Sequence, residues 1–226
     1  MSVRNEGALR RFTVAQVDAS HRFRVGPLLP GPWTIALREN ELHGGTLARV
    51  VVTDADEEVV FRMPAVGIIE LHCPPARSGY SANAYVAATH EFAGRARAGV
   101  DGVLRLRLPL ARRYDVTISS SGDHRTQTPL AGHVAALEPG TTREVELVPT
   151  LPLAGSIVSE GDWRWWSLAA RQGAARFTLI QQGRERFFTY LPAGRYDLVS
   201  QDADGVEHVH ATGIEAGRED VVLELR

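Results

Sequence analysis

The sequence predicts an all-β protein, built as a tandem array of seven-stranded antiparallel β-sandwich domains. One observation is a phrase that recurs, Leu-Pro followed within a few residues by an aromatic residue that opens an apolar strand. It stands at residues 29–35, 108–118 and 191–198. The prolines of successive copies are 79 and 83 residues apart, a spacing of domain size. The other observation is apolar and polar alternation with period two between Gly-, Pro- and Asp-rich turns, which is typical of half-buried strands.

The second unit shows this alternation most clearly. In residues 103–108 leucines alternate with arginines, so one face of a strand is expected to be buried and the other exposed. Pro109 ends that strand because proline donates no hydrogen bond to a ladder, and residues 114–118 return antiparallel to it. The predicted strands are 67–71, 84–88, 103–108, 114–118, 134–137 and 143–147. This gives about seven strands in about 83 residues, which is the density of a sandwich.

The third unit repeats this order and the first repeats it in part. Predicted strands of the third unit are 155–158, 166–170, 187–192, 196–199 and 221–225. Before its Leu-Pro phrase the first unit has strands only at 12–17 and 23–25, too little chain for a whole half-domain. Either this domain is incomplete and lacks its opening strand, or Met1 is not the native start. The predicted domains are 1–64, a partial repeat, followed by 65–150 and 151–226, with prolines at both boundaries.

This order of strands and turns resembles the carboxypeptidase regulatory-like, or prealbumin-like and transthyretin-like, β-sandwich repeat of bacterial multidomain proteins. The resemblance covers the second and third units nearly whole and the first in part. It implies a non-catalytic accessory role, here as the C-terminal part of a larger bacterial protein. Two departures mark divergence of the repeats: residues 110–113 lack the expected glycine, and Trp33 stands where the other units have tyrosine.

Composition and motifs exclude several classes of function. The net charge is −2 and both signs are interspersed, which argues against nucleic acid as a partner. No apolar run is long enough for membrane insertion, and no classical signal peptide opens the chain. The sequence therefore does not determine the cell compartment, which is extracytoplasmic if the chain belongs to a secreted protein. Cys73 has no partner for an intrachain disulfide. Common catalytic and nucleotide-binding motifs are absent, so neither an enzyme nor a cofactor is expected.

The leading prediction is therefore a structural or protein-interaction module whose protein or glycan partner is unidentified. The alternative is a carbohydrate-binding module that uses Trp163 and Trp165, which share one face of the segment if it is extended. Exposed aromatic rings stack on the apolar faces of sugars. The competing interpretation is that Trp166 fills the sandwich core and Trp163 packs between domains.

A metal site is the third hypothesis. His208 and His210 lie two residues apart on a predicted strand, which places their imidazoles on one face about 6.5 to 7 Å apart. Asp202 and Asp204, in the preceding turn, supply further ligands in this hypothesis. The competing interpretation is an ordinary strand face that follows an Asp-x-Asp-Gly turn, since the later ligands of a calcium loop are missing.

Overall fold

The computed structural model describes residues 2–5, 12–14, 31–39, 42–52, 65–73, 79–120, 129–159, 167–183, 185–201 and 206–225. Within these residues the protein forms nineteen β-strands and no helix, and neighbouring strands are almost all antiparallel. The prediction of an all-β fold with antiparallel sandwiches is confirmed.

The second unit is a sandwich of seven strands. They are β5 (Val66–His72), β6 (Tyr80–Val86), β7 (Phe92–Arg97), β8 (Val103–Pro109), β9 (Tyr114–Ser120), β10 (Leu130–Leu137) and β11 (Thr142–Glu144). One layer has the order β11-β5-β8, and the other runs β7-β6-β9-β10. β11 is parallel to β5, whereas every other pair in these two layers is antiparallel.

The third unit repeats this arrangement with one added strand. Its strands are β12 (Val148–Ser159), β13 (Ser167–Gln172), β14 (Ala175–Thr178), β15 (Ile180–Gln182), β16 (Arg186–Pro192), β17 (Arg195–Gln201), β18 (Glu207–Glu215) and β19 (Val221–Leu225). One layer contains β19-β12-β16-β15 and the other β14-β13-β17-β18. β19 is parallel to β12 as β11 is to β5, so β15 is the addition.

The first unit shows one layer of the same design in its described part. Its strands are β1 (Ser2–Asn5), β2 (Phe12–Val14), β3 (Gly31–Glu39) and β4 (Leu42–Val52). Their order, β2-β1-β3-β4, is that of β7-β6-β9-β10 and β14-β13-β17-β18. β1 thus takes the place of β6 and β13, and the described residues of this unit include no counterpart of β5. The strand predicted at 23–25 lies outside the described residues.

Two hydrophobic cores lie between the layers of the second and third units. In β8 the leucines are fully buried and the arginines exposed, as the alternation predicted. Cys73 belongs to the second unit's core, and burial raises its pKa to about 11, so the thiol stays protonated and unreactive. The third unit's core centres on leucines, Phe177, Phe187 and Tyr196.

The recurring Leu-Pro phrase forms the same corner in both units. The Tyr114 hydroxyl donates a hydrogen bond to the carbonyl of Pro109 at 2.9 Å, and that of Tyr196 donates to the carbonyl of Pro192 at 2.9 Å. Both tyrosines are buried, and burial raises the pKa of Tyr196 to about 12, which keeps its hydroxyl a donor. The phrase therefore ties the end of one strand to the start of the next across the two layers.

The aspartate after each tyrosine holds an irregularity in the following strand. Asp115 Oδ1 accepts a hydrogen bond from the Ala136 amide at 2.9 Å, and Asp197 Oδ1 accepts one from Gly213 at 3.2 Å. Ala136 and Gly213 have φ values of +53° and +66°, where their strands shift register against β9 and β17. The Tyr-Asp pair thus fixes both a corner and a β-bulge.

Replacing Tyr196 with phenylalanine is expected to lower the free energy of unfolding by about 1 kcal/mol, because the carbonyl of Pro192 loses its donor while the ring stays packed. Urea unfolding followed by circular dichroism measures the change. Tyr114→Phe should cost a similar amount, since the corner is the same. A loss close to zero in both variants would mean that the hydroxyls contribute nothing to the corner.

Candidate functional site at the seam between the second and third units

The backbone of β12 joins the second and third units. At its start β12 pairs with β10 of the second unit, through Leu130 with Pro149 and Ala131 with Val148. From Thr150 onward it pairs with β16 of its own unit. The layer that contains β9 and β10 therefore continues into the layer that contains β12 and β16.

Thr150 strengthens this crossing point. Its amide and its hydroxyl both donate to the carbonyl of Pro129, at 3.0 and 2.8 Å. Ala131 sits beside it and is 1% exposed, although its strand belongs to the second unit, because it lies in the third unit's core. The two units thus share both hydrogen bonds and apolar packing at β12.

Side chains form the second part of the contact. The outer face is the side of the β7-β6-β9-β10 sheet that points away from the second unit's core. Asp115 and Thr117 alternate with core residues of β9 and so point to this face, yet they are only 3% and 5% exposed. They are buried because β14 of the third unit lies against β9.

We call this contact the seam, and hydrogen bonds define it. The Arg176 amide donates to Thr117 Oγ1 at 3.3 Å. Asn83 Nδ2 donates to Thr178 Oγ1 at 3.3 Å, and the hydroxyl of Tyr85 lies 3.5 Å from the same oxygen. Polar residues that alternation leaves on the outer face of β6 and β9 thus become partners of β14.

A buried arginine lies within the seam. Arg176 is 3% exposed, and its guanidinium forms an ion pair with Glu207 of β18. Glu207 also pairs with Arg171, which in turn bonds Asp197 at 3.0 Å. Burial lowers the pKa of Arg176, and the neighbouring Arg171 lowers it further against an opposing effect of Tyr85. The hydrogen bond from Arg171 lowers the pKa of Asp197, as does the Gly213 amide.

Two histidines of the second unit accompany this cluster. His90 ends the turn after β6 with a φ of +56°, and His133 is in β10, opposite Thr117. Burial lowers the pKa of both imidazoles, and Asp115 opposes that effect in both. Arg176 and Arg171 lower the pKa of His90 further. The seam therefore brings titratable groups of both units together.

The side chains of the seam are paired with one another and with backbone groups. In the part of the chain that the structure describes, no three His, Cys, Asp or Glu side chains are grouped closely enough to hold a metal ion. The carboxylates of the seam are committed to arginines or, in Asp115, to a backbone amide. Each of these carboxylate contacts lies within one unit, whereas the hydrogen bonds of Thr117 and Asn83 to β14 join the two units.

Of the residues singled out in the sequence, Trp163, Trp165, Asp202 and Asp204 lie outside the described residues, so the sugar-binding surface and the complete metal site stay predictions. His208 and His210 are described and lie in β18, both half-buried, with exposed Val209 between them.

His210 is already engaged by two neighbouring strands. Its Nε2 and the Ser200 hydroxyl share a hydrogen bond of 2.8 Å, and its Nδ1 lies 3.1 Å from the carbonyl of Glu224. Burial lowers the pKa of this imidazole, with a smaller opposing effect of the Glu224 carbonyl. A metal would therefore have to displace one of these partners.

The comparisons with known proteins add no family. The chain matches no protein family model and no curated protein, so the carboxypeptidase regulatory-like assignment rests on resemblance alone. Its described residues include no helix with the length and apolar character needed to cross a bilayer.

Three solved structures illustrate the similarity that does exist. A candidate adhesin from Bacteroides ovatus is 8% identical with a TM-score of 0.29, over 75% of this chain and 98% of that one. The Bacillus anthracis TIE protein is 14% identical with a TM-score of 0.28, over 99% of this chain and 46% of its own. A streptococcal ancillary pilin is 12% identical with a TM-score of 0.25, over 96% of this chain and 81% of the pilin chain. Similarity of this degree carries no argument about function.

Proposed function

We propose that this chain is a non-catalytic structural or protein-interaction module in which the second and third sandwiches act as one stiff body. The observation that carries the proposal is that β12 is hydrogen-bonded to strands of both units. It pairs with β10 at Val148 and Pro149 and with β16 from Thr150 onward. No unpaired linker separates the two ladders. Bending at this point would therefore break backbone hydrogen bonds of one layer or the other.

The seam supports the same proposal from the side-chain level. Arg176 is buried at the seam and its partner Glu207 is half-buried, and a pair of this kind adds little net stability. The contacts that cross the seam are hydrogen bonds, in which the Arg176 amide donates to Thr117 and Asn83 donates to Thr178, and another relative placement of the units would break them. The apolar contribution comes from Ala131 in the third unit's core.

A stiff body of two sandwiches suits a role in presentation. Domains joined by a flexible linker sample many orientations, whereas these two units would hold any surface on one at a fixed distance from any surface on the other. A partner protein that contacts both units would then bind a preorganised surface, with less conformational entropy lost on binding.

Pulsed electron paramagnetic resonance on the full chain tests the stiffness. Nitroxide labels are attached in Val100→Cys and Val222→Cys, two exposed positions on the second and third units. Cys73 is buried and its raised pKa keeps it unlabelled. At pH 7.5 we expect one narrow distance distribution.

The control is the same labelled chain with four glycines inserted between Val148 and Pro149. The insertion adds a flexible linker where β12 passes from one unit to the other. Its distribution should broaden. A broad distribution in the chain without the insertion would contradict the proposal, since the units would then move independently.

A further inference from the structure

Two imidazole nitrogens of the second unit are buried without a hydrogen-bond partner among the described residues. They are Nδ1 of His90 and Nε2 of His133. A neutral imidazole tolerates this, because the bare nitrogen needs no acceptor when the proton is on the other ring nitrogen. Protonation would turn each buried nitrogen into a donor with nothing to accept it, and would add a buried charge.

The charged groups that face His90 belong to both units. Arg176 on β14 and Arg171 on β13 come from the third unit, and Asp115 on β9 comes from the second. Asp115 Oδ1 is already bonded to the Ala136 amide. The positive charge of an imidazolium at His90 would therefore be opposed by these two arginines, which are themselves paired with Glu207, and favoured by Asp115.

His133 lies in β10, opposite Thr117 of β9. Asp115 is the charged group that acts on it, and burial outweighs the effect of Asp115. Its strand β10 lies against β14 and β16 of the third unit. In the docked arrangement both half-buried imidazoles are held toward the neutral form, mainly by burial.

We propose that the seam is a pH-sensitive joint, which opens when His90 and His133 take up protons. This inference rests on the proposed function, since it concerns the same contact between the units. Opening would move β14 with Arg176 away from the outer face and break its hydrogen bond to Thr117, while the pairing of β10 with the start of β12 keeps the units attached.

The direction of the pH dependence follows from proton linkage. In the docked state both histidines have a pKa below the ordinary value of about 6.5, whereas in the open state water reaches the rings and Asp115 remains beside them. The open state therefore binds more protons below about pH 6.5. The docking free energy is complete above that pH and decreases as the pH falls through it.

The test uses the Val100→Cys and Val222→Cys labels between pH 7.5 and 5.0, with His90→Asn and His133→Gln combined in one variant. Asparagine suits position 90 because it tolerates the positive φ there. The control is His72→Gln on β5, in the other layer, whose side chain is 47% exposed. We expect the ratio of a longer-distance population to the docked one to rise several-fold on acidification in the unsubstituted chain and in the control, and to stay constant in the double variant.

Other outcomes separate the two proposals. A broad distribution already at pH 7.5 would contradict the stiff body itself. A narrow distribution at both pH values would overturn only the joint, as would an acid response that persists in the double variant. Far-UV circular dichroism identifies general acid unfolding: a loss of strand signal with the same midpoint as the distance change would also overturn the joint.

Discussion

Replacing Gly155 with alanine is expected to lower the free energy of unfolding by about 3 kcal/mol or more. A Cβ at this position would meet the carbonyl group of Val221, with the carbonyl carbon at 2.7 Å, and would lie 3.0 Å from a ring carbon of Phe187. Val221 is backbone-paired with Gly155 in the parallel ladder between β12 and β19, so it cannot rotate away as a side chain would. Urea denaturation measures the change in the free energy of unfolding.

Gly173→Ala is the matched control for this prediction. Gly173 has a φ of +57° and nothing within 4 Å of an added Cβ, so the substitution tests backbone strain without a clash. Its expected cost is about 1 kcal/mol. If Gly155→Ala cost no more than this control, the close approach of β19 to β12 would not be what requires a glycine.

Replacing Glu207 with glutamine is expected to cost about 3 kcal/mol, because it leaves the buried guanidinium of Arg176 without its carboxylate. The loss is again measured by urea denaturation. Adding Arg176→Met to this variant should recover most of it, since the unpaired buried charge is then gone.

The control for the ion pair is Asp220→Asn. Asp220 pairs with Arg218 at 2.9 Å, but both side chains are more than half exposed, so the change should lie within about 0.5 kcal/mol. Equal costs for Glu207→Gln and Asp220→Asn would show that burial adds nothing to the seam pair. Strictly additive effects of Glu207→Gln and Arg176→Met would contradict the pairing itself.

The strands were predictable where a single strand's own pattern determines burial. In β8 the alternation of leucine and arginine, ended by Pro109, sufficed, because its two faces meet the core and the solvent. The recurring phrase predicted a turn and a strand. It did not reveal that the tyrosine and aspartate side chains bond Pro109 and Ala136, since these partners depend on strand pairing.

The seam could not be predicted from the same pattern. Alternation assigns Asp115 and Thr117 to an exposed face, and only the docking of β14 buries them. Arg176 likewise has the sequence context of an ordinary outward arginine. Its burial depends on residues 59 or more positions away, which no local pattern contains.

The predicted boundary between the second and third units, at residues 149–152, is another place where the local sequence did not predict strand pairing. Prolines there suggested an interrupted strand, but β12 runs through both. The structure tolerates them because the side of β12 between β10 and β19 is bonded irregularly: the Gly217 amide donates to the carbonyl of Pro152 at 2.8 Å, and Thr150 donates to Pro129. The limits of the three domains remain predictions.

For the candidate metal site, the sequence placed His208 and His210 on one strand, where the structure has them. The His210 ring is hydrogen-bonded to Ser200 of β17 and to the carbonyl of Glu224 of β19. These two hydrogen bonds depend on tertiary structure, so the local sequence could not predict them.

The position of Ala131 has an evolutionary consequence. This residue is encoded within the second unit but completes the hydrophobic core of the third. A gene duplication or recombination that cut between the units would separate the third from one of its own core residues and from the first partner of β12. We therefore expect the pair of units to be inherited together, and a substitution at position 131 to act on the stability of the neighbouring sandwich.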